Sequence, residues 1–186
     1  MSIDEILFEA EEKMLKTEDH LVSQFAGVRT GKAMPALIEN VMVEAYGSNM
    51  RLKELATISA PESRMLMVQP FDAGNTKAIE KAIQSANMGL NPATQGKFIR
   101  IVLPDLSTER RQEFVKICKK MSEDGRVAIR TERRQALEGL KKAKNDGGVS
   151  EDDIETAEGS VQKLTDQFIR KIDEHLAHKE KEILTV

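Results

Sequence analysis

Three long stretches of this chain place an apolar residue at every third or fourth position, and a helix carrying such a stripe is not stable alone in water. In the first, Ile3, Leu7, Ala10, Met14, Thr17, Leu21, Phe25 and Val28 step along one side, with acids and lysines between them. In the last, Ile154, Ala157, Val161, Leu164, Phe168, Ile172, Leu176 and Ile183 do the same behind a capping box of Ser150 and Asp153. The middle stretch opens at Leu103-Pro104-Asp105-Leu106-Ser107, where Ser107 is the expected N-cap and Glu109 suits the positive helix end. It stops at Asn145-Asp146-Gly147-Gly148, a turn that also sends the chain back. Each stripe needs the other two, so an antiparallel three-helix bundle is expected, with helices roughly 40 to 55 Å long.

Residues 30–105 break this rhythm. Ala36 to Tyr46 reads as a strand, with Ile38, Val41, Val43 and Ala45 among softer residues, ended by a turn at Gly47-Ser48-Asn49. Arg64 to Gln69 and Phe98 to Leu103 are further strands by β-branching and alternation. Between them Thr76 to Asn87 reads as a short helix with Ala78, Ile79, Ala82, Ile83 and Ala86 on one side, closing at Met88-Gly89-Leu90-Asn91-Pro92. The fold class is therefore α+β: residues 1–29 and 106–186 form the bundle, and 30–105 form a small inserted β/α/β domain. The two connections between them must lie side by side, which makes a paired hinge of Arg29, Thr30, Gly31, Leu103, Pro104 and Asp105.

Charge is distributed as unevenly as hydropathy. The chain carries 28 Lys and Arg against 31 Asp and Glu, a formal net of −3, yet Glu109 to Asp146 holds twelve bases against seven acids. A basic segment in an acidic chain points to a selective polyanion contact. At about 100° per residue, Lys119, Arg126, Arg130, Arg133, Arg134, Lys141 and Lys144 share an arc of about 100°. Phe114, Ile117, Cys118, Met121 and Ala128 are expected on the buried side. Arg presents a planar fork to phosphate oxygens, so this stripe suits nucleic acid, although a solvated helix face has the same pattern.

Catalytic chemistry is sparse. Gly27 to Ala33 has the look of a phosphate loop but is one residue short between its glycines, ends in Ala and follows a helix. His175 and His178 share a helix face without the further ligands a metal needs. Cys118, the single cysteine, sits on the apolar side as a packing residue and suits a reducing compartment. The start MSIDEILFEAEEK has acids where a signal peptide needs bases, so the cytosol is expected, with no membrane partner, no metal and no cofactor. A binding or mechanical role fits better than an enzyme.

Seven motifs in order resemble bacterial ribosome recycling factor: VRTGKAMP (Val28 to Pro35), the Tyr46-Gly47 pair followed by LKELA (Leu52 to Ala56), GLNP (Gly89 to Pro92), IRIVLPDLSTERR (Ile99 to Arg111), Arg130 with Arg133 and Arg134, SEDD (Ser150 to Asp153) and VQKLTD (Val161 to Asp166). The resemblance implies an L-shaped, tRNA-sized molecule, monomeric, that with elongation factor G and GTP splits the post-termination ribosome and frees mRNA and deacylated tRNA. It assigns large-subunit rRNA contact to Arg29, Arg130, Arg133 and Arg134. It also marks two departures: Lys32 stands where the family often has a second Arg, and Arg51 where a Pro is common. The competing expectation is a coiled-coil scaffold or chaperone without RNA binding, which leaves the inserted domain unexplained.

Overall fold

The protein is described by a computed structural model over residues 2–86 and 88–185. In chain order the elements are α1 (Ile3–Ala26), β1 (Met42–Ala45), β2 (Ser48–Arg51), α2 (Leu52–Leu55), β3 (Ala56–Glu62), β4 (Met65–Pro70), α3 (Thr76–Ser85), β5 (Asn91–Gln95), β6 (Phe98–Val102), α4 (Thr108–Asp146) and α5 (Glu151–Leu184). Short 3-10 turns at Pro35–Leu37 and Ala73–Asn75 punctuate the middle. The residues group into two compact units, 2–25 with 115–181, and 26–114 with 182–185.

The first unit is helical, and the long helices α1, α4 and α5 begin, α4 within the second unit, where side chains can satisfy their orphan amides. Ser2 and Glu5 cap α1 reciprocally, at 3.2 and 2.7 Å. The Arg110 N–H donates to Ser107 Oγ at 3.2 Å and the Asp153 N–H to Ser150 Oγ at 3.1 Å, so both expected caps form. Side-chain pairs fix the directions. Lys119 faces Glu180, Arg126 faces Asp173 and Lys144 faces Glu151, so α4 and α5 run antiparallel. Lys13 reaches Gln135 while Leu21 lies beside Gly125, so α1 is also antiparallel to α4. Glu18 meets Lys171 and His175, and α1 runs parallel to α5.

The core of this unit is rotated from the sequence expectation. On α1 it buries Ile6, Ala10, Met14, Glu18, Leu21 and Phe25; Ile3 and Leu7 pack against its edge, and Glu18 rather than Thr17 is the buried residue at that turn. On α4 the buried residues are Cys118, Ser122, Gly125, Ile129, Ala136 and Leu140. Of the five residues expected on that buried side only Cys118 is there, and Ile117 is 44% exposed. The cause is size: a Cβ on Gly125 would stand 3.4 Å from Ile172 and 3.8 Å from Leu21, so the small residues mark where helices approach closely. Hydropathy gives Ser and Gly no weight as core residues. The basic arc consequently lies beside the buried face rather than opposite it, along the flank shared with α5.

The second unit holds two antiparallel sheets, β1 with β2, and β3-β4-β6-β5. Leu66 and Val68 of β4 and Ile99 and Ile101 of β6 point to one side, where Ile79 and Ile83 of α3 join them in one core. That core also takes Val43 and Ala45 from the hairpin, so α3 has apolar partners from both sheets. The two expected strands with strong alternation are present as β4 and β6, and the expected helix as α3, although Asn87 lies outside the described residues. Ala36 to Tyr46 is not one strand: Pro35–Leu37 is a 3-10 turn and only Met42–Ala45 pairs. The hairpin turns at Tyr46 and Gly47, with φ of 52° and 75°, and Ser48 and Asn49 already pair with Ala45 and Glu44. Two successive left-handed residues match the right-handed strand twist, which is why the turn comes earlier than Gly47-Ser48-Asn49.

Candidate nucleic-acid interface

The basic stripe of α4 divides into spent and available cations. Arg126 donates through Nε and Nη2 to Asp173 Oδ1, at 2.9 and 2.5 Å, and through Nη1 to Glu123 at 3.1 Å. These bonds, those to Asp173 first, hold its guanidinium more firmly charged than an isolated one. Lys144 is committed to Glu151 at 2.9 Å. The bonds from Arg126 and then Arg130 keep the Glu123 carboxyl below its ordinary range. Salt bridges within the bundle thus absorb part of the charge excess seen in the sequence.

Arg130 is 54% exposed on its side chain and makes a single long contact of 3.3 Å with Glu123. Arg134 is exposed one turn further on, and Arg133 is half-buried with a shielded Nε that has no partner. Arg133, Arg134 and Lys141 line a groove of about 1160 Å³ between α4 and α5 whose other wall carries Glu151, Glu155 and Glu158. The structure therefore brings Arg130, Arg133 and Arg134 to one region of one helix, as their spacing requires.

Arg29 is different. It lies in the second unit, is only 8% exposed, and donates from Nη2 to the Pro104 carbonyl, while its Nε has no partner. Burial first, and the nearby Arg110 charge next, pull its pKa below the usual arginine value against the pull of Asp105. It stays cationic at neutral pH all the same. The bond to Pro104 holds residues 29 and 104 side by side within the second unit. Ala33 and Leu103 then donate their amides to Ser63 and Arg64 at 2.7 and 2.8 Å, and Asp105 pairs with Arg64. Thr30 and Leu103 are buried as well. Gly31 is not in the left-handed region, and a Cβ there would meet the Thr185 carbonyl at an ordinary 3.8 Å.

Other polar features were invisible in the sequence. Glu18 is buried on α1 and accepts from Lys171 Nζ at 3.0 Å, with His175 Nε2 at 2.9 Å from its other oxygen. His175 is thus occupied by a carboxylate of another helix, a pairing that 157 residues of separation conceal. The Cys118 thiol is pushed up to about 11 by burial, in keeping with a packing role. At Arg51 the backbone N–H donates to Glu54 Oε2 at 2.9 Å, a bond that a proline there would lack.

Comparisons with known proteins agree along the chain. A family model described as ribosome recycling factor matches residues 21–184. A ribosome-recycling factor of Caldicellulosiruptor saccharolyticus is 49% identical over 177 residues, 95% of this chain and 96% of that one. One of Carboxydothermus hydrogenoformans is 48% identical over 184 residues, covering 99% and 100%. Among solved structures, a solution structure of ribosome recycling factor superposes with TM-score 0.78 at 41% identity, covering 100% of this chain and 99% of the other. A second, with TM-score 0.69, 43% identity and full coverage of both chains, belongs to a description of Thermus thermophilus ribosome recycling factor and Escherichia coli elongation factor G bound to the post-termination complex.

Proposed function

Because the chain belongs to the ribosome recycling factor family, we propose that it binds large-subunit rRNA through Arg130, Arg133 and Arg134, with Arg29 as a fourth contact, and with elongation factor G and GTP splits the post-termination ribosome. The observation that carries this reading is the match, over 99% of the chain, to relatives bearing that name. Physical support comes from α4, where Arg130 and Arg134 are exposed while Arg126 is used internally. Charge provides the hold on RNA, and the GTPase partner provides the work.

Arg29, Thr30, Gly31, Leu103, Pro104 and Asp105 are the paired connection through which that work moves residues 30–105 against the bundle of 1–29 and 106–186. The Arg29 bond to Pro104 favours this reading, since it ties the two strands of chain into one joint. The released parts are the subunits, mRNA and deacylated tRNA. The factor acts as a monomer in the cytoplasm and needs no cofactor of its own.

Sedimentation with purified large ribosomal subunits at graded salt tests the binding half. Arg133→Ala should weaken binding by roughly 1 to 3 kcal/mol with helicity unchanged, and Arg133→Lys should recover part of it. Unchanged affinity in the alanine variant returns the stripe to a solvated face. Binding that ignores salt would mean that a protein surface holds the factor.

A further inference from the structure

The outer side of α1 carries three exposed apolar residues in strict register: Phe8, 70% exposed, Leu15, 44%, and Val22, 42%. They are seven residues apart, so at 100° per residue they fall within about 40° of one another and form a line about 21 Å long. The core residues Ile6, Ala10, Met14, Leu21 and Phe25 all lie at least about 100° away from Phe8 on the same helix. This second stripe is not needed for the bundle. Scattered surface apolar residues require no explanation, but a seven-residue repeat on a helix face is the pattern that a partner helix or strand reads.

The charge beside the line identifies the class of partner. Asp4, Glu11, Glu12 and Asp19 are exposed and lie within about 60° of Phe8. Of these only Glu12 has a salt bridge among the described residues, to Lys16 at 2.8 Å. On the α5 side Lys171, which reaches α1, is held by the buried Glu18. Asp4, Glu11 and Asp19, without a salt bridge among the described residues, therefore border the line with negative charge, which repels phosphate and repels the same face of a second copy. A segment with apolar residues flanked by Lys and Arg satisfies both features at once.

We propose that the Phe8–Leu15–Val22 face of α1 docks a cationic protein segment on the large ribosomal subunit, a contact separate from the rRNA contact of α4. This rests on the reading that the chain works on the ribosome. The two faces then divide the labour by charge, α4 for RNA and α1 for basic protein.

The test uses Leu15→p-benzoylphenylalanine in the full chain, bound to purified large subunits and irradiated, with cross-linked products identified by mass spectrometry and primer extension. The expected product joins position 15 to a Lys- and Arg-rich segment of a subunit protein. Its yield should fall at least fivefold when Asp4→Lys, Glu11→Lys and Asp19→Lys are added, while co-sedimentation stays within twofold. A Phe8→Ser and Val22→Ser variant, checked for unchanged helicity, should lower the yield similarly. Cross-links to rRNA, cross-links to a second copy, or no cross-link with normal co-sedimentation would each overturn the proposal. Loss of co-sedimentation in the unmodified chain would sink the ribosomal reading itself.

Discussion

Arg126 on α4 and Asp173 on α5 form a two-pronged bond in which Nε and Nη2 converge on one carboxylate oxygen. Arg126 is only 20% exposed while Asp173 is 53% exposed, so the cation is sheltered and the acid is half in water. This pair distinguishes two cations that the sequence makes equivalent, Arg126 and Arg130, four residues apart on one arc. The first fastens helices together. The second is 54% exposed and reaches only Glu123, at 3.3 Å.

Arg126→Ala should therefore lower bundle stability by roughly 0.5 to 1.5 kcal/mol and leave rRNA affinity nearly intact. Arg130→Ala should do the reverse. Thermal unfolding and subunit sedimentation on both proteins check this, and equal loss of binding in the two would show that the ion pair opens on the ribosome.

Salt dependence should count the phosphate contacts. Removing Arg130, Arg133 or Arg134 should each reduce the slope of log affinity against log salt by about 0.7 to 0.9. Arg29→Ala should reduce it by less and should lower the unfolding temperature, because this side chain is buried against Pro104. A full-size slope change with unaltered stability would place Arg29 directly on phosphate.

Acid should loosen the contact between α1 and α5. Burial raises the Glu18 pKa, but the hydrogen bonds from His175 and Lys171 outweigh it and hold the carboxyl below its ordinary 4.5. A depressed carboxyl contributes stability that is fully present above pH 4.5 and is lost as pH falls through the folded-state pKa. Glu18→Gln should flatten this acid limb and cost roughly 1 to 3 kcal/mol at neutral pH, since it strips two partners of their carboxylate. Urea unfolding of both proteins at a series of pH values measures it, and parallel curves would refute the assignment.

The proposed hinge has its own test in Gly31. Its backbone is not left-handed and a Cβ there meets no clash, so Gly31→Ala should be neutral in stability within about 0.5 kcal/mol. A β-branched residue narrows the accessible φ and ψ without blocking the fold. Gly31→Val should bind large subunits almost normally yet split ribosomes poorly with elongation factor G and GTP. A proportional fall of both activities would mean that the factor acts as a single wedge.

The sequence disclosed the long helices because their stripes and caps are local: Ser107 and Ser150 cap where a Ser before an apolar run should. It disclosed β4 and β6 because central strands are rich in Leu, Ile, Val and Met. The edge strands were hidden, since Asn91–Gln95 reads NPATQ and Ala56–Glu62 ends in Pro61 and Glu62, and only the pairing partner makes such segments extended. The core faces of α1 and α4 were misjudged where Glu18, Ser122 and Gly125 are buried, because tight approach and long-range pairing override hydropathy. For the interface, spacing located the three α4 arginines together. Which cations are already paired depends on α5, and no local pattern carries that information.

The parallel run of α1 beside α5 constrains the order in which the chain can assemble. Ile6 and Ala10 share a core with Ala136 and Leu140 of α4 and with Ile154, Ala157 and Val161 of α5, so the first helix to leave the ribosome completes its core only after nearly the whole chain has been synthesised. The sheet residues from Val43 to Leu103 can meanwhile collapse on α3, since that core is contiguous in sequence. Until α5 emerges, α1 has only the α4 side of its core to pack against, and a nascent chain stalled before residue 154 should be the form that chaperones hold and proteases cut.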